Sequence, residues 1–136
     1  AALGISQMQR LDEFVAKRHA LQERYDLLLS NFPIIRPYQD KNSYSALHLY
    51  PIQIDLNKVS KSRKQIFNIL REGGIGVNVH YIPIHTQPYY ALFGFREGDF
   101  PNSEYYYSRV ISIPLFHAMT IEQQDKVLYI LKRALQ

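Results

Sequence analysis

The chain has 136 residues, a formal net charge of +4 and no cysteine. That length suits one domain with a single core, and the missing cysteines exclude disulfides and thiolate chemistry and fit a cytoplasmic protein. With 46% hydrophobic and 21% charged residues the composition is that of an ordinary globular protein, and the scattered bases do not make a nucleic-acid footprint. No apolar run reaches the roughly 18 residues of a membrane span, and the charged opening lacks the apolar centre of a secretory leader.

In chain order, Ala1 to Gln7 reads as a separate turn or as the end of an upstream helix. From Met8 to Phe32, Leu11, Phe14, Val15, Leu21, Tyr25, Leu28 and Leu29 form a helical stripe that Pro33 stops. Residues 33–45 read as a short extended piece and a loop. Ala46 to Asp55 alternates as a strand; Pro51, having no backbone donor, assigns it to a sheet edge or to a bulge. Ser60 to Arg71 is predicted as a helix burying Ile66, Phe67, Ile69 and Leu70, closed by a left-handed cap at Gly73-Gly74.

Ile75 to Tyr81 is predicted as a second strand, ended by Pro83, with a short helix over Gln87 to Phe93 and a turn at Gly94 to Asp99. Asn102 or Ser103 then caps a helix through Val110, and Ile111 to Pro114 is a short strand. Thr120-Ile-Glu-Gln123 is a capping box opening a last helix that buries Val127, Leu128, Leu131 and Leu135. This order predicts an α+β fold, with helices covering a small, mostly antiparallel sheet.

The chemical candidates concentrate in "IGVNVHYIPIHTQPYY" (Ile75 to Tyr90). Its glycines leave a helix for a strand, the reverse of a phosphate loop, which runs from a strand into a helix N-terminus. His80 and His85 stand five apart across Pro83 with no acidic residue between, which does not match a metal site. No serine-nucleophile motif is present, and Lys58, Lys61 and Lys64 lie on a solvated helix start rather than in an apolar setting. Two readings stay open for His80 and His85: strand-end histidines bonded to a neighbour, or polar tips converging on a ligand. Tyr105-Tyr106-Tyr107 reads as core and interface.

As a whole the chain resembles the DegT/StrS family of pyridoxal-phosphate-dependent sugar aminotransferases. The resemblance runs from "AALGISQMQRLDEFVAKRHALQERYDLLLSN" through "SALHLYPIQID" to "FPNSEYYYSRVISIPLFHAMTIEQQDKV". Its most specific pieces are Gly74 to His85 and Ser112 to Thr120, and it is greatest toward the 4-aminotransferases of the pseudaminic acid route. The resemblance implies the small C-terminal domain of a fold-type I enzyme, with residues 1–32 as a connecting helical segment and 33–136 as the small domain.

It further implies that the Schiff-base lysine, the aspartate partner of the pyridine nitrogen and the segment reaching a neighbour's cofactor phosphate lie outside this chain. No catalytic, cofactor-binding or metal residue is then expected here, and the piece alone is expected to be inactive. What the resemblance assigns to it is substrate recognition by Asn78, Val79, His80, Tyr81 and His85. The parent would bind pyridoxal 5'-phosphate and move an amino group from glutamate to a nucleotide-linked 4-keto-6-deoxy sugar for cell-surface or flagellar glycans, as a cytoplasmic homodimer without nucleic-acid or membrane partners. The other reading is a sugar-nucleotide-binding or dimerisation module used without the cofactor.

Overall fold

A computed structural model describes residues 1–136. Its centre is an antiparallel sheet of β1 (Ile34–Ile35), β2 (Tyr50–Ile54) and β3 (Val110–Ile113), in that spatial order. Around it lie helices α1 (Ala2–Met8), α2 (Leu11–Leu28), α3 (Arg63–Glu72), α4 (Pro88–Ala91), α5 (Pro101–Arg109) and α6 (Ile121–Leu135). The α+β class and the antiparallel sheet are as the residue pattern predicts.

The core joins all the larger elements. Leu21 and Tyr25 of α2, Ile52 and Ile54 of β2, Ile66 and Leu70 of α3, Ile111 of β3, and Val127 and Leu131 of α6 belong to one buried cluster. Each such aliphatic side chain contributes about 1.5–3 kcal/mol by leaving water. Both large amphipathic helices start on capping boxes: Thr120 with Gln123 for α6, as predicted, and Ser62 with Gln65 for α3, which therefore begins later than Ser60. At the end of α3, Ile75 N–H bonds Leu70 O and Gly74 N–H bonds Arg71 O, both at 2.9 Å. Gly74, at φ +75°, supplies the left-handed residue of this Schellman motif, while Gly73 lets α6 approach: a Cβ there would meet Ile130 at 2.7 Å.

Four expectations change. β2 starts at Tyr50 rather than Ala46 and is the central strand, not an edge, and its register to β3 runs unbulged through Tyr50↔Ile113, Pro51↔Ser112, Ile52↔Ile111 and Gln53↔Val110. Pro51 is tolerated for a reason of parity. Ser112 turns its own N–H and C=O away from β2, so Pro51 faces the β1 side, where the register has run on to Pro37 and no strand remains.

The strand over Ile75 to Tyr81 reduces to a single bridge, Asn78 against Ser112, with bonds of 3.2 and 2.8 Å. The next pairs in that register would be Gly76 with Pro114 and His80 with Val110. Pro114 has no N–H, and Val110 spends its N–H on Tyr106 O at the end of α5. The ladder cannot extend in either direction. Ala1 to Gln7 stands apart as expected and makes up most of α1, which buries nothing, whereas the helix predicted over Met8 to Phe32 is shorter: α2 starts at Leu11 and stops at Leu28, where the Ser30 hydroxyl donates to Leu27 O at 2.8 Å. Finally, α5 begins at Pro101 with Phe100 in the cap position, so Asn102 and Ser103 lie inside it; proline's fixed φ suits the first helical position.

Candidate functional site

The bridge at Asn78 determines where the following residues go. With its backbone held on Ser112, the chain leaves the sheet at Val79 and His80, and Ser112 Oγ lies 2.8 Å from His80 Nδ1. His80 is half-buried, its other nitrogen has no partner in the chain, and the exposed Tyr81 ring meets it edge-on at 4.7 Å. Asn78 and Tyr81 are exposed and Val79 half-buried. The result is a rigid stem with polar and aromatic tips, anchored on a β3 strand buried at all four positions.

His85 belongs to a different arrangement. It sits in a single 3-10 turn, Ile84–Thr86, is only 7% exposed, and has Nε2 2.7 Å from Glu104 Oε1 on α5. Glu104 also accepts from Gly98 N–H at 2.8 Å and from Phe100 N–H at 3.4 Å, closing the loop that leads into α5. The Gly98 bond, then the His85 bond, hold the Glu104 carboxyl below the ordinary carboxylate range, against the opposing pull of desolvation. The His85 ring packs at 4.8 Å on Phe100, and with Ile84, Tyr90, Phe95 and Ser103 these two line an apolar pocket of about 330 Å³.

The predicted site residues thus divide into two groups. Asn78 to Tyr81 hang from β3, whereas His85 is tied to α5, and no hydrogen bond joins the two histidines. No three histidine, aspartate or glutamate side chains converge as a metal would require. Both histidines carry the neighbour bond of the plainer reading, yet each keeps one nitrogen unpartnered. Glu104 and Ser112 were not foreseen. The signal for Glu104 was an acidic residue in a first turn, behind Gly98 and Pro101; Ser112 gave none, being one small polar residue in an apolar strand.

The tyrosine run on α5 is core only in part. Tyr106 is half-buried, and desolvation raises its pKa, whereas Tyr105 is exposed and covered by Arg109 at 3.9 Å and Tyr107 lies under Arg63 at 5.0 Å. None of the lysines lines the apolar pocket, and Lys17 and Lys58 pair with Glu13 and Asp55 at the surface. No lysine therefore stands in this pocket to hold a Schiff-base cofactor there.

Comparison with known proteins gives a consistent picture. The sequence profile described as the DegT/DnrJ/EryC1/StrS aminotransferase family matches residues 1–132. The spore coat polysaccharide biosynthesis protein SpsC of Bacillus subtilis is 38% identical over 131 residues, covering 94% of this chain and 34% of SpsC. Among solved structures, Helicobacter pylori PseC, an aminotransferase involved in pseudaminic acid biosynthesis, superposes with a TM-score of 0.87 at 26% identity, over 98% of this chain and 36% of PseC. The PMP form of a putative sugar aminotransferase from Streptococcus pneumoniae gives 0.87 at 25% identity, over 97% and 33%. The chain spans about a third of the length of these relatives.

Proposed function

Because the chain belongs to the DegT/DnrJ/EryC1/StrS aminotransferase family, we propose that it is the substrate-recognition part of a pyridoxal-phosphate-dependent sugar aminotransferase. In this reading residues 33–136 are the small C-terminal domain and 1–32 the segment connecting it to the cofactor domain. The parent moves an amino group from glutamate to a nucleotide-linked 4-keto-6-deoxy sugar destined for cell-surface or flagellar glycans. It works as a homodimer in the cytoplasm; no helix here is long and apolar enough to cross a membrane.

The observation that carries this reading is the anchored stem. His80 is fixed through Nδ1 to Ser112, with its second nitrogen unpartnered beside the exposed Asn78 and Tyr81. A ligand gripped by such tips gains hydrogen bonds without first ordering the groups that make them. Val79 and His85 complete the proposed substrate-binding set, His80 as the direct contact and His85 set back in its pocket. When bound, pyridoxal phosphate supplies the electron sink for the amino transfer; the residues of this chain bind and orient the sugar nucleotide, and the piece alone is inactive.

The test is to supply the full-length protein with pyridoxal phosphate and titrate keto-sugar nucleotides while following cofactor absorbance. The expected result is a spectral change with at least one of them, and a His80→Ala variant whose KM rises about tenfold or more while kcat falls less. No spectral change with any sugar nucleotide would defeat the proposal. The exposed Leu3, Ile5 and Met8 of α1 favour a second reading, a dimerisation module used without cofactor. Sedimentation of the chain as a strict monomer would count against it.

A further inference from the structure

The pairing of His85 with Glu104 does more than hold a side chain in place. Glu104 accepts two backbone N–H groups, and with its carboxyl held below the usual range it is ionised near neutrality. A carboxylate has no proton to offer, so the imidazole nitrogen facing it must carry one. That nitrogen is Nε2. In the neutral ring, a proton on Nε2 leaves Nδ1 as a bare acceptor. Nδ1 has no partner within the chain and is not among the side-chain atoms sealed from solvent without one.

The same ring is a wall of the pocket, and Tyr90, Phe95 and Phe100 add three more flat rings beside Ile84 and Ser103. Phe100 lies 4.8 Å from His85, Phe95 6.0 Å from Phe100, and Tyr90 6.5 Å from Phe95, ring centre to ring centre. A volume of about 330 Å³ matches a ring-sized ligand at the small end of natural ligand pockets. We infer that this pocket binds a flat, largely apolar ring bearing a hydroxyl or N–H donor, with His85 Nδ1 accepting that donor's hydrogen bond. Glu104 is the positioning residue that, in the neutral ring, holds the proton on Nε2 and so leaves the lone pair on Nδ1. This narrows the role given to His85 above, but its test needs neither cofactor nor sugar, so it stands or falls separately from the aminotransferase reading.

Proton–nitrogen correlation spectra of the full chain at mildly alkaline pH report the tautomer of His85. Titration with phenol and with anisole then compares one ring with and without a donor. The expected outcome is a ring protonated on Nε2 alone, His85 resonances that move with phenol, and phenol bound roughly fivefold or more tightly than anisole. Glu104→Ala should release the ring to a mixture of tautomers and bring the two affinities together, with the amides of Ile52 and Ile111 unmoved. A wild-type ring protonated on Nδ1 or on both nitrogens overturns the inference. Equal binding of the two probes does so too, as does a Glu104→Ala chain with tautomer and preference unchanged. Should that variant unfold, the wild-type tautomer and the phenol-to-anisole ratio still decide.

Discussion

Two clusters of touching aromatic rings behave in opposite ways. Tyr25 and Tyr50 meet at 5.0 Å in the core, both fully buried. Each hydroxyl has found a partner there: Tyr25 donates to Pro114 O at 3.0 Å and Tyr50 to Asp26 Oδ1 at 2.5 Å. Burial raises the pKa of both phenols, and the Asp26 bond adds to the rise for Tyr50. Tyr89, Tyr90, Phe93, Phe95 and Phe100 also touch one another, yet all five remain exposed. The first cluster stabilises the fold because it is dry and its polar atoms are satisfied; the second lies at the surface on short local turns, Tyr90 N–H bonding Gln87 O, Phe93 N–H bonding Tyr90 O and Phe100 N–H bonding Glu104. Aromatic content alone separates neither role. Burial and hydrogen bonding do.

Leu131→Ala, which opens a cavity at a fully buried position beside α3, should lower stability by about 2–5 kcal/mol in a denaturant titration and unfold the molecule as one unit. Tyr25→Phe keeps the ring and strands the Pro114 carbonyl, and about 1–2 kcal/mol is expected in the same measurement. Thr120→Ala removes the cap of α6 at about 1 kcal/mol, with amide exchange accelerating in its first turn. In the surface segment that carries the second cluster, Leu92→Ala should stay within about 0.5 kcal/mol of wild type, since Leu92 is 81% exposed. A loss at Leu92 rivalling that at Leu131 would mean that the two regions share one core after all.

Acid offers a sharper separation. The folded loop lowers the Glu104 pKa below its ordinary 4.5, so the loop's stabilisation is fully present above that pH and is lost as the pH falls through the lowered value. Amide exchange at Gly98 and Phe100 should accelerate over that acid range while Ile111 stays protected, and Glu104→Gln should abolish the step. Simultaneous loss of protection at Ile111 would refute a local origin.

What the sequence shows plainly is local. The buried face of α6 and its capping box follow from residues three and four apart, which any folded context leaves as neighbours. The same holds for the α3 face and the glycine stop behind it, even though the left-handed residue proves to be Gly74. Gln124 marks a limit of this kind of reading. It lies on the apolar stripe of α6, three residues before Val127, and is fully buried because its amide donates to Leu21 O at 2.8 Å and accepts from Arg24 at 3.0 Å. A polar residue on a buried stripe was visible as an irregularity, but its partners lie about a hundred positions away.

Residue order alone, then, carries the α+β class, the two large amphipathic helices with the capping box of the last, the kinship with sugar aminotransferases and the stretch from Asn78 to His85 as the place to look. The folded arrangement is what lets Pro51 lie in the central strand, stops the ladder after Gly74 at one bridge, and gives His80 and His85 different anchors. The reason is common to all three. Each depends on which backbone donors remain free once distant segments have paired: Pro114 has none, Val110 has spent its own, and Glu104 collects those of Gly98 and Phe100. Residue types specify what a group can donate or accept, and the fold alone assigns the partner.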